Sequence, residues 1–243
     1  MKGDPMQDNV TNYPQKVDSS ALIPVKSQAL FRAFAEPKGK VFLLYGDPLI
    51  FRLSILMAGY ALVRDTTIAL VDGCNRFDVH TLIRFAQEKR RSPDELLRRI
   101  FVSRGFTCYQ MEAAVTRKLP EFFRRHRTQT GIILGLLDTM YDEQAPLGEV
   151  QKILVRMSEA FREMKARGAS ILVACQDVKV LPLERNALLQ KLKSGMDGVY
   201  HAKIDTTNTL CLYAEQLQQH QTTDIRRPPD GTHSTDLYEY HRP

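Results

Sequence analysis

The sequence predicts an α/β fold with a mostly parallel central sheet, helices on both faces and an antiparallel hairpin near its C-terminal end. Two observations carry this. From Lys40 onward, apolar runs of strand length alternate with longer segments of helical period, and parallel neighbours require such crossovers. Near the end, two apolar runs are separated only by "DTTN", a turn composition that joins antiparallel strands.

Taken in order, the first twenty residues are polar, and Ala21 to Ala35 reads as a short amphipathic helix. Val41 to Tyr45 reads as a buried strand, Leu49 to Val63 as a helix, Thr67 to Val71 as a strand and Asp78 to Lys89 as a helix. In "SPDELLRR", Ser92 suits an N-cap and Pro93 the first helical position, so a short helix leads into a strand over Ile100 to Ser103. Helix Tyr109 to Arg124, strand Gly131 to Asp138, a long helix from about Leu147 to Arg167 stopped by Gly168, and strand Ser170 to Cys175 follow. Gly198 to Ile204 and Thr209 to Tyr213 form the hairpin. Beyond Gln216 the polar, Pro-rich "RRPPDGTHST" predicts disorder. The expected organisation is a disordered segment over 1–20, a helical lead-in over 21–37, one core domain over 38–216 and a disordered tail over 217–243.

Hydrophobic residues at 43% and charged residues at 26% are ordinary for a soluble globular protein, and no apolar run approaches the ~20 residues of a membrane helix. The start lacks the apolar segment of a secretory signal, so a cytoplasmic or nucleoid-associated protein with no membrane partner is expected. Cys74, Cys108, Cys175 and Cys211 are scattered without metal-ligand spacing and read as reduced thiols. The net charge of +6 is a moderate bias toward polyanions, concentrated in "EKRRSPDELLRR" and in "RRHR", Arg124 to Arg127. Helix ends favour such cations for dipole reasons alone, so a solvated basic face competes with a polyanion contact.

The stretch "VFLLYGDPLIFRLSIL" has the strand, turn and helix order of a phosphate-binding loop. Laying GxxxxGK[ST] on it puts Gly46 on the first glycine, Phe51 on the second, Arg52 on the lysine and Leu53 on the hydroxyl residue.

From about Lys38 to Tyr213 the order of segments resembles the ATPase core of the RecA/RadA recombinases, which include the strand-exchange proteins and their paralogues. "GKVFLLYGD" resembles the strand entering that family's P-loop. "IALVDGCNRFDVHTLIRFA" resembles its second strand and helix, with Asp72, Asn75 and Phe77 fitting. "IFVSRGFTCYQM" resembles the segment carrying an Arg, an aromatic and a Gln, here Arg104, Phe106 and Gln110. "GIILGLLDT" resembles the Walker B strand ending in Asp138, and "ILVACQDV" the strand ending in Gln176.

The resemblance implies a RecA-like P-loop fold whose nucleotide site is degenerate. Phe51 supplies bulk where backbone must approach phosphate, Leu53 cannot bind Mg²⁺, and the guanidinium of Arg52 does not replace an ammonium. Cys74 falls where active members carry the Glu that orients the attacking water. Asp138 and Gln176 survive, in the family a metal-coordinating residue and a γ-phosphate sensor, although each also suits the end of a buried strand. The expectation is therefore no catalytic residues, no metal and no required cofactor, with weak ATP binding through Arg52 left open.

Of the family's DNA-contacting loops, "TMYDEQAPLGE" is acidic here, whereas the loop after Gln176 carries Lys179, Arg185, Lys191 and Lys193, the candidate DNA-binding cations. "LERNALLQKLK" equally reads as an amphipathic helix with a wet basic side. Three functions stay open: a non-catalytic accessory protein of DNA recombination or repair that binds DNA, partner proteins or both; a divergent ATPase; and an interaction scaffold without nucleic acid. A protein partner, self or a recombinase-like subunit, is expected in the first and third.

Overall fold

The computed structural model describes residues 22–25, 27–36, 38–206 and 209–215. The disorder expected over 1–20 and 217–243 lies outside the described residues. The strands are β1 (Leu22–Val25), β2 (Lys40–Gly46), β3 (Ile68–Asp72), β4 (Ile100–Arg104), β5 (Thr130–Leu134), β6 (Ser170–Gln176), β7 (Gly198–Ile204) and β8 (Leu210–Glu215). The α-helices are α1 (Ser27–Ala35), α2 (Leu49–Leu62), α3 (Val79–Glu88), α4 (Pro93–Leu97), α5 (Cys108–Ala113), α6 (Leu119–His126), α7 (Leu147–Ala166) and α8 (Ala187–Lys193).

The strands form one 8-stranded sheet in the order β1-β8-β7-β2-β6-β5-β3-β4. Strands β2 to β7 are mutually parallel, and β8 runs antiparallel to both of its neighbours. Right-handed crossovers then decide which face each helix covers. Connections β2 to β3 and β3 to β4 step one way along the sheet and put α2, α3 and α4 on one face, with Ile55, Leu82, Phe85 and Leu96 packed there. The connections from β4 to β5, β5 to β6 and β6 to β7 step the other way, so Met111, Phe123, Phe161 and Leu192 cover the opposite face. Both faces of the central strands are therefore buried, which is why β2, β3, β5 and β6 read as unbroken apolar runs.

Three elements differ from their sequence patterns. The expected helix over Ala21 to Ala35 is in part a strand: β1 pairs with β8 from Leu22↔Glu215 to Val25↔Leu212, and only Ser27–Ala35 is helical. An unpaired β8 edge outbids a weak local helix preference, and Pro24 is tolerated because β1 is the outermost strand. The buried Leu30 and Phe34 of α1 pack in this domain's own core.

The strand expected to reach Asp138 ends at Leu134. Gly135 takes φ 64°, donates its N–H to Ala174 O at 2.8 Å and turns the chain into a 3-10 helix over Asp138–Met140. A Cβ at Gly135 would lie 2.3 Å from Cys74 Cβ, so the β3 and β5 ends meet there without room for a side chain. The helix expected over Tyr109 to Arg124 is three pieces, α5, a π-turn over Ala114–Lys118 and α6. Pro120, in the first turn of α6, cannot donate to the Thr116 carbonyl, and the widened turn ahead of it accommodates the ring.

Gly46 ends β2 at φ 127°, and a Cβ there would fall 2.2 Å from Ala202 O of the neighbouring β7. Gly46→Ala should lower stability by roughly 1–3 kcal/mol, read as a shifted urea midpoint at unchanged slope. A midpoint equal to the parent's would show that the strand end is not held this tightly.

Candidate functional site

In a doubly wound sheet, ligands bind outside the carboxyl ends of strands whose connections leave to opposite faces. β2 and β6 are such a pair, because β2 leads to α2 on one face and β6 to α8 on the other. At their ends lies a crevice of about 470 Å³ lined by Gly46, Asp47, Gln176, Asp177, His201 and Lys203, among others. The structure thus brings Gly46 and Gln176 together as register partners. Asp138 follows β5, the next strand along.

The turn between β2 and α2 consists only of Asp47 and Pro48. Asp47 accepts the Leu49 N–H on Oδ1 at 2.9 Å and the Ile50 N–H on its carbonyl at 3.0 Å, and Pro48 O accepts the Phe51 N–H at 3.2 Å. The backbone donors that a phosphate would need at this helix start are thus occupied by the chain itself, and a carboxylate sits where the anion would go. Phe51 and Arg52 are consequently helical residues rather than loop residues. Phe51 is 3% exposed within the core, Leu53 packs half-buried against the same cluster, and Arg52 lies on the solvent side of α2.

Arg76 reaches over the Phe51 ring, its guanidinium carbon 5.9 Å from the centroid. It also partly offsets the burial that raises the Asp138 carboxyl above the ordinary carboxylate range. The neighbouring carboxylate Asp72 is buried and serves the backbone. Its oxygens accept from the N–H groups of Cys74, Arg76 and Phe77 at 3.3, 3.1 and 3.0 Å. Burial, followed by the charges of Asp138 and Asp72, pushes the Cys74 thiol far up. A thiol held protonated in this way is neither nucleophile nor base at neutral pH.

The four candidate DNA-binding cations do not share one surface. Arg185 is 3% exposed; its guanidinium donates to Met140 O at 2.6 Å and to Ala145 O, tying the two expected DNA loops to each other. Lys193 is also buried, with Nζ 3.0 Å from Glu215 Oε1 and 3.8 Å from the Tyr45 ring centroid. This corrects the reading of both as phosphate contacts: their charges are spent inside the fold. Lys179 and Lys191 remain at the surface.

The sequence reading missed the group around Tyr45. Its hydroxyl donates to Glu215, to which Lys193 also bonds, and burial with that carboxylate raises the phenol. The His201 ring stacks on Tyr45 at 4.4 Å and 11°, with Nε2 4.0 Å from Asp177. Tyr45, Asp177, Lys193 and Glu215 line a second cavity of about 640 Å³, together with Tyr141 and Gln190. The available signal was Tyr45 itself, a polar tip closing an apolar strand. Its partners stand 156 and 170 positions away for His201 and Glu215, beyond the reach of local pattern.

Among the described residues no group of His, Cys, Asp and Glu has the arrangement to hold a metal ion, and no helix is long and apolar enough to cross a membrane. No protein-family model and no curated protein matches the chain.

Arg185→Ala should cost roughly 2–4 kcal/mol, because two carbonyls lose a charged donor, whereas Lys191→Ala should stay within about 0.5 kcal/mol. Equal effects in denaturant titrations would contradict the placement of Arg185. A second expectation concerns pH. Desolvation, with the charge of Lys203 next, lowers His201 from 6.5 to about 4, and the weaker pull of Asp177 does not compensate. The unfolded chain therefore takes up a proton first, and stability present above about pH 6.5 should fall by up to about 3 kcal/mol as pH drops toward 4. His201→Phe should flatten that part of the stability profile; an unchanged profile would assign the slope to other groups.

Proposed function

We propose that this chain is a non-catalytic RecA-like protein, an accessory factor in DNA recombination or repair that acts by binding. The family reading rests on the five segments in their order, and it is supported by the positions of Gly46, Gln176 and Asp138 on or just past the carboxyl ends of three consecutive strands, β2, β6 and β5. The non-catalytic reading rests on one observation above the rest: the N–H groups of Leu49, Ile50 and Phe51 are bonded within the turn, leaving no phosphate cradle. Asp47 and Asp177 add negative charge at the crevice, and Cys74 offers no carboxylate to orient water. Arg52 is the one P-loop position still carrying a cation, so ATP affinity is weak and the divergent-ATPase reading loses its support.

A second reading, a scaffold that binds protein alone, is favoured by Leu181 and Leu183, which are 71% and 69% exposed beside the second cavity. Oligonucleotide and partner binding measured on the same preparation separates the two.

Magnesium-dependent ATP or GTP hydrolysis should not exceed background. The variant carrying Phe51→Gly, Arg52→Lys and Leu53→Thr should remain inactive and lose about 3–5 kcal/mol of stability, since it removes a buried aromatic from a helix. Turnover by the parent that disappears in Asp138→Ala would overturn the proposal, as would a triple variant that gains tight ATP binding with no fall in melting temperature.

A further inference from the structure

The amino end of the sheet gathers the exposed Arg98, Arg124, Arg125, Arg127 and Arg167. At this amino end the C-terminal turns of α6 and α7 and the starts of β3, β5 and β6 enclose an open cavity of about 750 Å³, lined by Arg124, His126, Arg127 and Arg167 together with the apolar Phe123 and Met164. The single acid of its lining, Asp65, is engaged by Arg99 at 2.7 Å and Arg91 at 3.7 Å. Arg167 has only a long, solvent-exposed pair with Glu163 at 4.0 Å. Among the described residues neither Arg124 nor Arg127 has a carboxylate within ion-pair distance.

From the cavity wall His126 stacks on Phe122 with centroids 4.1 Å apart at 22°, and Phe122 meets Phe101 at 5.0 Å. Phe101 is 41% exposed on the edge strand β4. Helix dipoles account for cations in the last turn of α6. They do not account for an aromatic row, Phe101, Phe122 and His126, left beside the arginines.

We propose that this amino-terminal end is a binding surface for single-stranded nucleic acid, with backbone phosphates on Arg124, Arg127 and Arg167 and a base against the His126, Phe122 and Phe101 row. Cations around a groove with adjoining aromatic faces are what an unpaired strand uses, whereas in a duplex the base faces are already covered. A second copy of the chain fits less well, because the apolar patch is small and ringed by like charges. The inference rests on the nucleic-acid reading above and moves the contact away from the loop after Gln176, where two of four candidate cations are buried.

The test is a fluorescence-anisotropy titration of the full chain with a labelled oligothymidylate over a range of salt. Replacing Arg124, Arg127 and Arg167 by Ala should weaken binding at least tenfold and reduce the log–log salt slope by about 2, at roughly 0.7 per lost contact. Phe101→Ala should weaken binding several-fold and leave the slope unchanged. The corresponding Arg→Lys triple should keep the slope, which preserves the test should the Ala triple fold poorly. Parent-like binding by the Ala triple and Phe101→Ala, with loss in a Lys179→Ala, Lys191→Ala double variant, would overturn this surface while leaving the nucleic-acid reading standing. A parent that does not bind the oligonucleotide at low salt would overturn both. Capture by phosphatidylserine vesicles but not by the oligonucleotide would make it a membrane contact and overturn the proposal.

Discussion

Strand β2 is hydrogen-bonded on both sides, to β6 and β7, and covered on both faces, and this double confinement shapes everything around it. A strand so placed must be apolar throughout, as "VFLLY" is, and its end must fit between two neighbours. Gly46 meets that requirement because Ala202 O leaves no space for a Cβ. The chain then enters α2 after only Asp47 and Pro48, and the short turn consumes its own donors. A glycine that strand packing requires and a turn whose donors are already bonded thus meet at the end of one strand.

The same confinement explains the partners gathered at the end of β2. Tyr45 carries a hydroxyl to the rim of a buried strand and needs an acceptor, which Glu215 supplies from the outer hairpin, with Lys193 neutralising that carboxylate. Lys193 in turn places its ammonium over the Tyr45 ring, so a cation that reads as surface charge is held within the fold. Arg185 does comparable work one loop away, filling the carbonyls of Met140 and Ala145. Arg124, Arg127 and Arg167, by contrast, stay exposed at the amino end of the sheet, opposite the crevice.

Much was legible in the sequence because it depends on local pattern. The apolar runs of β2, β3, β5 and β6 mark strands buried on both faces, the long period of α7 marks a crossover, and "DTTN" marks the hairpin of β7 and β8. The bulk of Phe51, where the phosphate-loop pattern has glycine, was likewise visible, whereas its place inside a helix and in the core was not.

Tertiary structure alone decided the rest, since those features depend on residues far apart in the chain. β1 became a strand because β8 offered an open edge, and no local signal around Pro24 contains that information. Lys193 and Arg185 look like ordinary amphipathic-helix cations until Glu215 and two distant carbonyls are brought against them. Sequence determines which segments are strands and helices because burial and periodicity are local. Which charges remain at the surface is decided only once the sheet order fixes their neighbours.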